Sequence, residues 1–265
     1  MPVWGESGAA GATHTLSAQA RHFVVTLVPP GRLYLVSGSL PVLFRDDALV
    51  AVDKPAGLAV HRGWAGERDV AMMRVRDQLG MHVFPVHRLD RATSGVLLFA
   101  FSSEIASRLC ESFIACAVQK SYLALVRGVP PESGIIDSPL PTGEDRHAPR
   151  VSAQTEYVRR EVYGRYSLVE ARPRTGRLHQ VRRHLKHIAC PLIGDVNYGK
   201  GEHNRLFRER YGLYRLFLHA TRLSLPHPVT GGRLDIASPL PRELGAVLER
   251  LRHVTSVQDS RPAVF

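Results

Sequence analysis

Cysteine is scarce in this chain, whose 265 residues carry three, Cys110, Cys116 and Cys190. Thiols so few and so irregularly spaced cannot build a disulfide framework or a four-ligand zinc site, so they are expected to stay reduced, which favours the cytoplasm. Long apolar runs are missing too. None approaches the roughly 20 residues that cross a bilayer, and the N-terminus lacks the basic stretch and apolar segment of an export signal. Neither export nor a membrane partner is expected. No glycine-rich nucleotide loop and no metal-ligand cluster stands out, so the expectation is no cofactor and no metal. Carboxylates are in short supply against bases, with 24 Asp and Glu facing 35 Lys and Arg.

That imbalance gives a formal charge of +11 and a pI near 10.1, which points to a polyanionic partner. The charge is also concentrated. Residues 172–187, "RPRTGRLHQVRRHLKH", hold six Lys or Arg, three His and no carboxylate. A solvated helix face normally mixes signs, so this block reads as a surface for phosphate. With 44% hydrophobic residues the chain can bury a substantial core.

Residues 1–40 open with Gly, Ala and Ser, continue in two short β-like pieces, and carry no motif; a weakly structured extension is expected there. Regular structure begins at "PVLFRDDALVAVDKPAGLAVH", a hairpin around Asp46 and Asp47 that runs into the breakers Pro55 and Gly57. Residues 83–101 read as strand, loop, strand, with Asp90 on the loop between Arg88 and Arg91. Ser102 or Ser103 can cap a helix whose Ile105, Leu109, Cys110 and Phe113 form one buried stripe. "KSYLALVRG" alternates as a strand with Tyr122, Ala124 and Val126 on one face. Residues 130–153, rich in Pro, Gly and charge, suggest a long loop. A strand "YSLVEA", the turn "RPRTG" and a helix ending before Pro191 follow. "LFLHATRLSLPHP" and "GRLDIASPLP" make a hairpin through "VTGG", and a short helix near 242–252 closes the fold. Strands and helices mix without the alternation of a parallel sheet, so the class is α+β with a mixed, largely antiparallel sheet and flanking helices. The domain is expected over 41–255, with a tail at 256–265.

On a helical wheel starting at Leu178, Val181, Leu185 and Ile188 share a sector roughly 80° wide and must face the core. Arg183, Lys186 and His179 project away from it, whereas Arg182 and Arg177 border its edges. An arginine held at such an edge is partly desolvated and wants an anion, so it can clamp a loop carboxylate such as Asp90. A purely structural ion pair remains an equal reading of the same pattern. His179, His184 and His187 spread over roughly 140° of the helix and cannot converge on one ion. His87 reads as structural.

The residues that carry a resemblance are now in view. "HRLDRATSG" followed by "VLLFA", "QKSYLALVRG", and "RTGRLHQVRRHL" leading to "PLIGD" resemble, in order and spacing, the three motifs of the RluA-type pseudouridine synthases. "DKPAGLAVH" upstream and "LHATRLSLPHPVTG" downstream extend the likeness over roughly residues 41–240. "HRGW", "VRDQLGMHVFPVHRLDR" and the basic block look most like the tRNA branch that modifies uridine 65 in the acceptor stem. The resemblance implies the pseudouridine synthase fold with a central RNA-binding cleft, and isomerisation of uridine without a cofactor. It assigns the nucleophile to Asp90, the active-site tyrosine to Tyr122 and the aspartate's basic partner to Arg182. It also gives Arg88 the gap left by a flipped nucleotide. Arg91, Arg177, His179, Gln180, Arg183 and Lys186 are the further candidates for holding RNA. Some members add an S4 domain; residues 1–40 are too short for it, and its absence is expected. A monomer without a protein partner is expected.

The chemistry explains why these residue types would be used. A carboxylate must be ionised to attack the sugar or base, or to take a sugar proton, and an adjacent guanidinium keeps it charged when substrate excludes water. A tyrosine offers a ring for the detached uracil and a hydroxyl for hydrogen bonding or proton transfer. Unstacking a base in a stem costs about a few kcal/mol, part of which a planar guanidinium in the vacated space offsets. Thr93, Ser94 and Gly95 more simply shape the loop. Three other readings stand beside this one: a synthase acting on ribosomal RNA, a catalytically silent RNA-binding protein, and a carboxylate-dependent RNA hydrolase.

Overall fold

The computed structural model describes residues 38–61, 69–143, 145 and 147–259, with side chains as far as 256. The expected N-terminal extension lies outside these residues except for its last three positions. In chain order the elements are β1 (Val42–Arg45), β2 (Leu49–Lys54), α1 (Ala71–Leu79), β3 (Phe84–Pro85), β4 (Ser94–Ala100), α2 (Ser103–Ile114) and β5 (Gln119–Arg127). β6 (Ser133–Asp137), β7 (Leu140–Pro141), β8 (Arg150–Val151), β9 (Gln154–Tyr163), β10 (Tyr166–Pro173) and α3 (Gln180–His187) follow. The chain then forms α4 (Gly201–Tyr211), β11 (Leu218–Pro226), β12 (Arg233–Ala237) and α5 (Arg242–Asp259).

The strands form a ten-stranded sheet in the order β1-β2-β4-β11-β5-β10-β9-β6, with β12 beside β11 and β3 beside β4. Among the described strands every pairing is antiparallel except β4 with β11, at the middle of the sheet. The α+β, largely antiparallel class holds. At the parallel pair the chains approach so closely that a Cβ on Gly95, whose φ is +115°, would lie 2.1 Å from the Ala220 carbonyl oxygen. Glycine is required there. Its role is this contact inside β4, and not the turn before the strand.

Side-chain alternation along the strands sorts the helices onto two faces. Val50, Val52, Leu97 and Phe99 pack with Ala71 and Val75 of α1. Ala124, Val126, Val169 and Ala171 pack with Val181 and Leu185 of α3. Tyr122 touches both clusters, so α1 and α3 lie on one face with Tyr122 between them. On the other face Leu98 and Ala100 meet Leu109 of α2, while Leu125 and Leu168 meet Phe207 of α4 and Leu244 of α5.

Several expected local signals are realised. Asp46 Oδ1 accepts from the N–H groups of Ala48 (2.8 Å) and Leu49 (2.9 Å) and fixes the β1–β2 turn. Ser102 caps α2 by accepting from Ile105 N–H. Other regions differ. The segment expected as a loop over 130–153 contains β6 at the sheet edge and the β7–β8 ribbon, and β9, which sequence patterning left unassigned, is a ten-residue strand. α5 extends well beyond the expected helix and into the expected tail. No helix among the described residues is long and apolar enough to cross a membrane.

Candidate active site

The loop of residues 86–93 between β3 and β4 is pinned from three sides. Val86 and Leu89 are buried. His87 stacks on Phe113 of α2 with ring centroids 5.0 Å apart, and its Nε2 accepts from Leu98 N–H at 3.0 Å, which requires that nitrogen unprotonated. Burial, aided by the positive charge of Lys120, pushes the His87 imidazole down to about 3, so the neutral form persists at physiological pH. The structural reading of His87 agrees with this geometry. Lys54, wholly buried, points three donors at Pro55 O (2.8 Å), Leu58 O (2.8 Å) and Arg91 O (3.3 Å). Gly57 N–H also donates to Arg91 O, so the loop after β2 and the Asp90 loop are one tied unit.

Asp90 emerges from this frame with its side chain 19% exposed, and its Oδ2 accepts from Arg182 Nη1 at 3.1 Å. The rest of the Arg182 guanidinium belongs to Asp195: Nε donates to Oδ2 at 2.7 Å and Nη2 to Oδ1 at 2.9 Å. Burial works against the charge on Arg182, but Asp195 first and Asp90 second outweigh it and hold the cation. Burial likewise opposes the Asp195 carboxylate, yet its bonds to Arg182 and to the backbone N–H groups of Tyr198 and Asn197 keep its carboxyl below the usual range. Asp195 therefore aims the arginine, and the arginine holds Asp90. The Tyr198 ring lies against the same guanidinium, 5.0 Å from ring centre to Cζ.

A cavity of about 490 Å³ opens in front of Asp90. Its walls include Asp90, Tyr122, Arg182, Arg88, His179 and Leu218. Burial, and after it the charge of Asp90, raises the Tyr122 phenol well above its usual range, so it stays protonated. Its hydroxyl makes no hydrogen bond among the described residues. The carboxylate, the ring and the guanidinium thus share one cavity.

The remaining candidates divide. Arg88 is exposed at the cavity wall and free of hydrogen bonds among the described residues. His179 does not project away from the core on a helix: residues 177–179 form a turn, and His179 sits just ahead of α3 in the left-handed region at φ 53°. This places its Nε2 3.9 Å from Asp90 Oδ2, with Nδ1 3.0 Å from the Tyr198 hydroxyl. Arg177, on that turn, is exposed and donates to Ser152 O, not buried at a helix edge. Gln180 lines the cavity, but its amide is saturated by Thr175, Arg177 N–H, Gln154 O and Thr155. Arg183 Nε donates to the Tyr198 hydroxyl, Nη1 to Pro141 O and Nη2 to Gly143 O, which tethers the loop after β7 to α3. Lys186 is exposed outside the cavity, and Arg91 faces a separate cleft with Gly57 and Arg74.

Sequence reasoning gave no role to Asp195, Tyr198 or Lys54. Asp195 ends the "PLIGD" run and Lys54 interrupts an apolar strand; either could have been flagged as a charge with no visible reason to be buried.

Residues 48–187 match the model of the RNA pseudouridylate synthase family. The chain belongs to that family. It is 44% identical over 226 residues to tRNA pseudouridine synthase C of Pasteurella multocida, an alignment covering 77% of this chain and 93% of that protein. Likeness to the protein of the same name from Vibrio cholerae is 42% over 222 residues, covering 76% and 91%. Among solved structures, human RNA pseudouridylate synthase domain containing 4 superimposes with a TM-score of 0.66 at 30% identity, covering 80% of this chain and 93% of that one. This protein is accordingly an RNA pseudouridine synthase, an isomerase of uridine in RNA. The cavity of this synthase is walled by the Asp90 loop, by Tyr122 of β5 and Leu218 of β11, and by the start of α3.

Proposed function

We propose that this synthase modifies tRNA, at uridine 65 of the acceptor stem, with Asp90, Tyr122 and Arg182 as its catalytic set. The observation that carries the site is the single cavity shared by the Asp90 carboxylate, the Arg182 guanidinium at 3.1 Å and the Tyr122 ring. The tRNA target is supported by the printed names of the relatives and by the sequence likeness to the uridine-65 branch.

In the reaction the C1'–N1 bond breaks and a C1'–C5 bond forms; the base loses its C5 proton and gains one at N1, so atoms and electrons balance without an oxidant. Asp90 begins this either by covalent attack or by taking a sugar proton, and both routes need it ionised beside Arg182. The Tyr122 ring holds the detached uracil while it turns, and its protonated, unpaired hydroxyl is placed to hydrogen-bond the base. Arg88, free at the wall, enters the gap in the stem. His179 and Arg177 line the approach for phosphate, and the cytoplasm is the compartment where such a tRNA would be met.

Incubating the purified protein with unmodified tRNA and, separately, with ribosomal RNA, then mapping pseudouridine by carbodiimide primer extension, tests this. A single new stop at position 65 of tRNA is expected. Modification confined to ribosomal RNA would contradict the target while leaving the chemistry intact.

A further inference from the structure

Outside the cavity, a second concave patch lies where α4 meets the loop that follows it. We propose that it is a docking surface for the substrate RNA, taking backbone phosphates on Arg205 and Arg208 and an accessible base on Tyr214. The proposal deepens the reading of a structured RNA substrate and rests on it.

The patch has a volume of about 320 Å³ and no carboxylate in its wall. Arg205 and Arg208 are exposed, stand three residues apart on one helix face, and make no hydrogen bond or ion pair among the described residues. Unpaired guanidiniums side by side repel one another, and a phosphate chain relieves that. Tyr214 is 76% exposed and Val196 86%, so two large apolar side chains sit in water at the same place. Gly212 ends α4 in the left-handed region, φ 68°, and two residues on, Tyr214 is exposed in the same patch wall as the arginines. An exposed aromatic beside free arginines is the combination that stacks bases while holding their backbone.

The support is rigid and leads back to the cavity. Asn204, on the inner side of α4, accepts from Gly194 N–H (2.8 Å) and donates to Asp195 O (2.9 Å), gripping the turn that carries Asp195. A Cβ on Gly194 would come 2.0 Å from Arg215 O, so that turn packs without slack. Val196 belongs to the patch wall, and two residues on Tyr198 bonds His179 in the cavity wall. One short stretch, Asp195 to Tyr198, thus connects the wall of the patch to His179 in the wall of the cavity.

Affinity for unmodified bulk tRNA and for ribosomal RNA, each titrated with salt, tests the patch. The Arg205→Gln/Arg208→Gln variant is expected to bind the RNA that the enzyme modifies about tenfold or more weakly, with a log–log salt slope shallower by about 1.5. Arg205→Lys/Arg208→Lys should restore the slope. Tyr214→Ala should weaken binding by about fivefold or more with the slope unchanged, because stacking releases no counterions. Arg108→Gln, on α2, should bind as the wild type does. Wild-type affinity and slope in both the glutamine and the Tyr214→Ala proteins would overturn the proposal, including in favour of a protein occupant. If pseudouridine maps to ribosomal RNA, the tRNA reading fails, whereas the affinity losses on that RNA would still support the patch.

Discussion

Asp195 grips Arg182 through both carboxylate oxygens, at 2.7 and 2.9 Å, and leaves Nη1 alone to reach Asp90 at 3.1 Å. The arginine is thus aimed from behind by a residue that does not face the cavity. Arg182 and Asp195 have side chains only 6% and 1% exposed, a depth at which neither charge can stand alone.

Asp195→Asn should therefore damage both stability and rate. Removing the main counter-charge of a buried guanidinium costs up to about 3–5 kcal/mol, less whatever the single bond to Asp90 retains, and the loosened Arg182 presents Nη1 to Asp90 less firmly. Denaturant unfolding measures the first loss and single-turnover pseudouridine formation the second. A variant as stable as the wild type would show that Asp195 is not the anchor.

Tyr122 separates ring from hydroxyl. Tyr122→Phe keeps the packing against both core clusters, so its unfolding midpoint should stay close to the wild-type value. If the hydroxyl moves a proton, the rate should fall by about 10²–10⁴. A Phe variant with the wild-type rate would confine the residue to stacking.

Which sides of α2 and α3 are buried was legible because their apolar stripes follow the helical period, and the hairpins were legible from their turn residues, but the sheet face each helix covers was not. Nor was β9. Its register against β10 shifts between Leu168 and Val169, so Thr155, Tyr157 and Arg159 share one face while Glu161 and Tyr163 take the other, and the period-2 pattern breaks at Arg160; the Thr155 hydroxyl is buried only because Gln180 and His184 bond it. Arg183 also misled: on the wheel it is solvent-facing, but the β7–β8 ribbon, invisible in the sequence pattern, arrives to accept its donors. The three central site residues could be named from motifs. The Asp195 anchor, thirteen residues from Arg182, and the Lys54 tether are products of tertiary packing.

Arg88 should matter in proportion to how firmly its target is stacked. Arg88→Ala is expected to slow modification of a uridine in a continuous stem far more than of the same uridine in an open bulge, where little unstacking is needed. Equal losses on the two RNAs would place Arg88 in general phosphate binding.

Acid should unfold the synthase through its histidines. His184 donates from Nε2 to Ser138 O and accepts at Nδ1 from the Thr155 hydroxyl, an arrangement open only to the neutral ring. Burial lowers His87, His184, His203 and His219 below 6.5. The unfolded chain then binds more protons than the folded one below about pH 6.5, so stability present above that pH is lost as pH falls, by up to about 1.4 kcal/mol per pH unit for each ring. Denaturant unfolding at pH 7.5, 6.5 and 5.5 checks the sign; a constant free energy across that range would contradict it.

The most direct test of the central claim is single-turnover pseudouridine formation by Asp90→Asn. Its side chain is the same size and lies at the cavity wall, so the fold should persist and RNA should still bind. The rate should fall by more than about a thousandfold. Pseudouridine formed at a rate within tenfold of the wild type's would contradict the assignment of the chemistry to Asp90.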